Sequence, residues 1–301
     1  MSSNTLLRVL ALLAALLVVW GAVALFRGGL SDAPAGLDLP HLTAADVDRI
    51  QLATPADTAR LERGLTGWTV NGYPADASLV TDLVSALADS GLSTEVVARS
   101  AGSHARLGVD SLGGHRFRVL RGDRVLVDLV VGNQGRAYQT AYVRQADRDE
   151  VYLLRGRLAT TLDRNAEGWR DRTIATVTPD SVAALRIERG SRAVSLTKAE
   201  GGWRMSNAPA DSAAVARVLG GLSNLAAAGF ASDSEAATLD FARPDRRLLV
   251  MNARGDTLLA LAVDSTASGI WVRRGAGPTV FRLDAWRLDE LTPADSALRA
   301  R

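Results

Sequence analysis

Seven residues recur at identical spacing, 135 positions apart. Gly67-Trp68, Pro74-Ala75-Asp76, Val80 and Leu87 return as Gly202-Trp203, Pro209-Ala210-Asp211, Val215 and Leu222. Unrelated sequences of ordinary composition agree at about one position in fifteen, so this density of identities marks a duplicated unit. A chain built this way is expected to fold as two like halves, each with its own core.

Each copy reads as strand, turn, helix. Glycine tolerates the backbone of a tight turn, and tryptophan lays a large apolar surface on a sheet face. Pro74 and Pro209 end the strand. Asp76 and Asp211 then stand where a helix N-cap belongs, a carboxylate ready to accept from first-turn amides. Val80, Leu83, Val84 and Leu87 follow at i, i+3, i+4 and i+7, as do Val215, Val218, Leu219 and Leu222. That is one apolar stripe per helix, and Gly91 is a natural stop for the first. A duplicated ligand site would also use Trp68, Trp203, Asp76 and Asp211. Core burial and helix capping already account for both residue types, so the motif reads as structural.

The match extends beyond the shared window. Thr178, Val182, Leu185, Ile187 and Leu196 stand 135 residues after Thr43, Val47, Ile50, Leu52 and Leu61. The first copy then offers strands at Phe117–Leu120, Val125–Val131, Ala137–Val143 and Val151–Leu154. The second offers Arg247–Met251, Leu258–Val263, Ile270–Arg273 and Val280–Leu283. Gly122-Asp123 and Gly255-Asp256 carry the same hairpin signal. The offset shrinks to 133 and then to 129, where Leu291 answers Leu162, as trimmed loops between kept strands would give. The expected fold class is α+β: two tandem lobes, each an antiparallel sheet with an amphipathic helix on one face. The lobes span 43–165 and 178–292, joined by a connector at 166–177 and followed by a tail at 293–301.

Ahead of the lobes, Val9 to Phe26 is eighteen residues without a charge. With Leu6 and Leu7 a helix here spans about 30 Å, the thickness of the hydrocarbon layer. Residues 6–26 are therefore expected to cross a membrane once, with 1–27 as the anchor and 28–42 as a Gly/Pro/Asp linker. Ala22-Val23-Ala24 resembles a signal-peptidase site, so cleavage is the rival reading. The run exceeds the roughly 7–15 residues of a signal h-region. With a short amino-terminal tail inside, the bulk of the chain would lie outside the cytoplasmic membrane.

The chain has no Cys, three His, and 35 Lys+Arg against 33 Asp+Glu, for a formal charge of +2. Without Cys there is no disulfide, thiolate metal site or Cys nucleophile. Lys198 is the sole lysine, and the arginines are scattered among acids, which is no nucleic-acid footprint. His104 and His115 match no metal-ligand spacing. Ser103, His104 and Asp110 supply the residue types of a triad without a G-x-S-x-G elbow. Asp147, Asp149 and Glu150 are interrupted by Arg148 and read as a solvated turn, not a cation loop. No dinucleotide or phosphate loop is present, so no cofactor and no metal is expected. The polar cluster of most interest is Trp169-Arg170-Asp171-Arg172. It reads either as an Arg-rich docking point for a partner or an anionic ligand, or as a linker pinned by one aromatic and an ion pair.

The duplicated Gly-Trp hairpin with its Asp-capped helix, the apolar amino terminus, Leu107-Gly108-Val109-Asp110 and Arg170-Asp171 together resemble the DUF4340 family. Arg106 stands where that family's pattern usually has an aromatic. The resemblance implies a bacterial envelope protein similar to accessory parts of gliding-motility-type ABC transporters, with no catalytic residues to carry over. The expected function is a non-enzymatic, inner-membrane-anchored accessory or scaffold subunit with ABC-transporter partners. A receptor holding a small ligand or glycan between the lobes is the alternative, and a hydrolase using His104 or His115 the third.

Overall fold

A computed structural model describes residues 36–37 and 39–300. The expected membrane anchor at 6–26 lies outside the described residues. Among the described residues no helix is long and apolar enough to cross a membrane. The fold is α+β, dominated by antiparallel strands in two large sheets. The chain divides into two compact units. One takes the described residues up to Arg63 together with Ser78–Asn165, and the other takes Gly64–Ala77 together with Ala166–Arg301.

The first unit contains β1 (Arg49–Ala53), β2 (Thr58–Gly64), β5 (Ser93–Ala98), β6 (His115–Arg121), β7 (Arg124–Gln134), β8 (Thr140–Gln145) and β9 (Val151–Arg155), with β3 (Gly67–Val70) and β4 (Tyr73–Pro74) falling to the second unit. Its strands run β2-β1-β6-β7-β8-β9-β5. In β1 the odd positions Arg49, Gln51 and Ala53 are half-buried while Ile50 and Leu52 are buried, the period-two signature of a sheet with one core face. Helix α1 (Ala77–Leu87) buries Val80, Leu83, Val84 and Leu87, the stripe expected from the sequence. Two details differ from expectation. The strand expected from Ala137 begins only at Thr140, after Gln139 turns through φ 56°. Strand β5 was not anticipated, because its alternating half-buried and exposed residues leave no apolar run to read.

The second unit holds β3 (Gly67–Val70) and β4 (Tyr73–Pro74), then β10 (Thr173–Ala175), β11 (Ala184–Arg189), β12 (Arg192–Ala199), β13 (Gly202–Met205) and β14 (Ala208–Pro209). After helix α2 (Ser212–Ser223) come β15 (Leu225–Ala226), β16 (Gly229–Phe230), β17 (Arg246–Met251), β18 (Thr257–Thr266), β19 (Gly269–Arg274), β20 (Val280–Leu283) and helix α3 (Ala285–Leu291). Its main sheet runs β14-β13-β12-β11-β17-β18-β19-β20-β16, and β10 pairs with β15 in a small second sheet. The run from β12 to β16 repeats, strand for strand, the order of the first unit, and the β13–β14 hairpin repeats β3–β4. One core joins the sheet face (Leu185, Ile187, Val250, Leu261) to Val215, Val218, Leu219 and Leu222 of α2 and to Leu288 and Leu291 of α3.

The shared motif is placed alike in both copies. Gly67 and Gly202 open β3 and β13 at φ 139° and φ 116°, backbone that a side chain resists. Asn71 and Ser206, again 135 apart, both turn through the left-handed region at φ 49° and φ 53°. Asp211 caps α2, its Oδ1 accepting from the N–H groups of Ala213 and Ala214 at 2.9 Å each. Asp76 immediately precedes the first residue of α1. Trp68 and Trp203 are half-buried, and Trp203 packs against the second unit's core. The expected Gly-Asp hairpins are present, with Gly122 at φ 55° between β6 and β7 and Gly255 at φ 85° between β17 and β18.

Candidate site around Arg170

The hairpin β3–β4 is held by a strap from the segment after Asn165. Asp76 N–H donates to the Trp169 carbonyl and Asp171 N–H to the Pro74 carbonyl, both at 2.9 Å, around a bridge between Ala75 and Arg170. The carboxyl-terminal segment closes the other hairpin in the same way. Asp211 N–H donates to Leu298 at 2.9 Å, Ala300 N–H to Pro209 at 3.4 Å, and Ala210 bridges to Arg299. Trp169 and Leu298, and Arg170 and Arg299, are thus equivalent, at the same offset of 129 that relates Leu162 to Leu291. The start of the connector and the end of the tail do one job.

Within the strap the four residues singled out by sequence separate. Trp169 is 0% exposed, so its indole is core and offers no surface for contact. Asp171 turns its Oδ1 onto the backbone N–H of Thr173 at 2.8 Å. Arg172 reaches Glu167 at 3.9 Å across an exposed surface, an ion pair of small energetic weight. Arg170 is the exception. Its Cζ lies between two rings, 3.8 Å from the centroid of Tyr73 and 3.7 Å from that of Phe230.

Cation–π attraction stabilises such a placement more strongly as water is removed. Ring faces accept N–H donors only weakly, so the clamp itself does little for the hydrogen-bonding needs of the fork. Among the described residues no carboxylate lies within salt-bridge distance of Arg170, and its buried Nε has no hydrogen-bond partner. Desolvation pulls the guanidinium below the usual arginine value, opposed by the nearby Tyr73, Glu167 and Asp233. It stays protonated at neutral pH. The result is a half-buried positive charge whose Nε–H has no acceptor.

Two cavities of the second unit meet at this guanidinium. The smaller, about 150 Å³, is lined by Tyr73, Pro74, Phe230 and Phe281 together with Arg170 and Arg274. The larger, about 370 Å³, adds Asn71, Glu167, Ser232 and Glu235 on the far side. The Glu235 carboxylate is tied back to the N–H and hydroxyl of Ser232 at 2.9 and 2.7 Å, which holds it below the usual carboxylate range. Sequence reading picked out Arg170 but not Tyr73 or Phe230. Both partners are far from it along the chain, and only folding brings them together.

The histidines are placed elsewhere. His104 Nε2 lies 2.8 Å from the carbonyl oxygen of Asp149, in the acidic turn read from the sequence. Asp110 Oδ1 accepts from Gly113 N–H. Among the described residues no side-chain hydrogen bond links Ser103, His104 and Asp110. His115 lines a separate cavity of about 230 Å³ with Asn133, Gln134 and Asp163. Among the described residues no group of three or more His, Asp or Glu side chains is placed to hold a metal.

A family model described as a domain of unknown function (DUF4340) matches residues 68–244, more than half of the chain. The match begins at the Trp of the first hairpin, spans the strap, and includes Tyr73, Arg170 and Phe230. No curated protein and no solved structure matches the chain.

Proposed function

The chain belongs to the DUF4340 family, and from that premise we propose that it is a non-enzymatic envelope protein which docks a partner through Arg170. In this reading residues 6–26 anchor it in the cytoplasmic membrane. Its two sheet-bearing halves arose by internal duplication and lie outside that membrane. It serves as an accessory or scaffold subunit beside an ABC-type transport system of the gliding-motility kind.

One observation carries the docking role. Among the described residues the strap occurs in both copies, but the aromatic clamp is seen only at Arg170. Arg299 occupies the position equivalent to Arg170, and the residue equivalent to Tyr73 is Ala208. Features kept in both copies serve the architecture they share. A desolvated arginine held by rings in one copy alone costs solvation without serving the common frame, and interface arginines of this kind carry large shares of binding energy.

The test is co-purification of the tagged full chain with the membrane proteins encoded beside it, in wild type and in Arg170→Ala. Loss of the partner in the variant, with an unchanged melting temperature, supports the reading. Equal recovery from both overturns it. The anchor is tested by fractionation: the full chain is expected in the membrane pellet after alkaline wash, and a chain lacking 1–27 in the supernatant.

The two cavities at Arg170 favour a second reading, a receptor for a small ligand. In that case Arg170→Ala abolishes ligand binding while recovery of membrane partners is unaffected. Retention of in vivo function by a chain carrying both His104→Ala and His115→Ala removes the hydrolase.

A further inference from the structure

The charge around Arg170 is not symmetric. On the side of the larger cavity the neighbours are Glu167 and Glu235, two carboxylates against one guanidinium. On the side of the smaller cavity Arg274 joins Arg170, and the one carboxylate present is Asp171, an Oδ1 of which is occupied by Thr173 N–H. An anion is repelled from the first side and attracted to the second, whose lining carries two guanidiniums and one carboxylate.

Size and lining narrow the chemistry. About 150 Å³ is below the roughly 300–1,000 Å³ that encloses a whole drug-sized ligand, so the cavity takes one functional group and its immediate stem. Tyr73, Pro74, Phe230, Pro278 and Phe281 make the wall apolar. With rings over the guanidinium, an acceptor reaches it in the plane of the fork, the geometry of a bidentate carboxylate. A dianionic phosphate would bring twice the charge of a carboxylate and little use for the apolar wall.

We propose that the cavity between Arg170 and Arg274 is a binding site for a single carboxylate carried on a small apolar stem. It deepens the docking role argued above by naming the group that is docked, and it rests on that reading for its biological meaning. The carboxylate has two sources, the carboxyl terminus of a partner chain or a small organic acid. The wall made by Phe230 and Phe281, whose ring centroids stand 5.8 Å apart, contacts the stem in both cases.

Benzoate is the probe, with benzamide as its neutral isostere and inorganic phosphate as competitor, titrated against the full chain and followed by ligand-observed NMR. Benzoate is expected to bind saturably, benzamide and phosphate at least about tenfold more weakly, as loss of a charge-assisted pair predicts. Arg170→Ala is expected to weaken benzoate by about tenfold or more. Arg170→Lys, which keeps the charge and loses the planar fork, is expected to recover part of that. Arg274→Ala, at an exposed position, tests the second charge without touching the clamp. A short peptide ending in a free phenylalanine carboxylate, beside its amide, separates the sources: tighter binding than benzoate assigns the group to a chain terminus, weaker binding to a small acid. Equal binding of benzoate and benzamide overturns the site, as does an Arg170→Ala chain that melts normally and binds benzoate unchanged. Either failure leaves co-purification to judge the docking role on its own.

Discussion

The backbone N–H of Asp76 donates to the carbonyl of Trp169 at 2.9 Å, and 135 residues later Asp211 does the same to Leu298. Each hairpin is thus closed by a segment distant from it in sequence, anchored by one fully buried side chain: Trp169 and Leu298 are both 0% exposed. Removing Leu298 leaves a cavity that a strap near the chain end only partly refills. Leu298→Ala is expected to destabilise the second unit by about 3 kcal/mol, and a chain ending after Thr292 by more. Urea denaturation followed by tryptophan fluorescence measures both. A change under about 0.5 kcal/mol, the range of ordinary surface substitutions, would mean that the tail does not close this hairpin.

Gly67 and Gly202 provide a backbone test free of packing. At φ 139° and 116° both lie where L residues are strained, and a Cβ built on Gly67 meets nothing within 4 Å. Gly67→Ala is therefore expected to cost about 1–2 kcal/mol from conformation alone. At Gly202 the nearest atom to such a Cβ is Ser212 Oγ, at an ordinary 3.6 Å, so the same cost is expected. Equal stability of wild type and both alanine variants in the same denaturation assay refutes the strained turn.

Asp211 accepts two amide hydrogens at the start of α2. Its replacement by Ala is expected to cost about 1 kcal/mol, and by Asn much less, because Asn caps almost as well. Circular dichroism melts of the two variants make the comparison. Should Asn prove as damaging as Ala, the carboxylate serves something other than the cap.

What the sequence disclosed was local. The stripe on α1, the Asp211 cap and the turns at Gly122 and Gly255 depend on residues within a helical turn or a hairpin, so their spacing carries them. Strand β5 escaped because it has no buried face of its own to set an apolar rhythm. Trp169 read as a candidate contact because charged residues follow it. Burial is decided by what packs over a residue, and here the indole is enclosed. The clamp was out of reach: Tyr73 and Phe230 precede and follow Arg170 by 97 and 60 positions, and nothing near either predicts the meeting. The equivalence of Arg170 and Arg299 was hidden for a related reason. It is a match of backbone position, with Trp in one copy where the other has Leu.

Asp128 supplies the pH dependence. It lies on β7, with Arg116 Nε and an Arg116 amino group donating to its two oxygens at 2.8 and 2.7 Å and Arg118 Nε adding a third bond at 3.2 Å. Burial pushes this carboxyl upward. The two guanidiniums outweigh that and hold it below the usual carboxylate value, Arg116 foremost. A carboxylate whose value is depressed on folding stabilises the protein above its unfolded value of about 3.9, and that contribution fades as pH falls through the folded value. At pH 7 Asp128→Asn is expected to lose about 1 kcal/mol, given how far Arg116 and Arg118 reach into solvent. The deficit is expected to shrink as the pH is taken below about 4, where wild type gives up the same ion pairs by protonation. Chemical denaturation of both chains at pH 7, 5 and 3 decides it. A deficit as large at pH 3 as at pH 7 would show that Asp128 acts through packing and not through its charge.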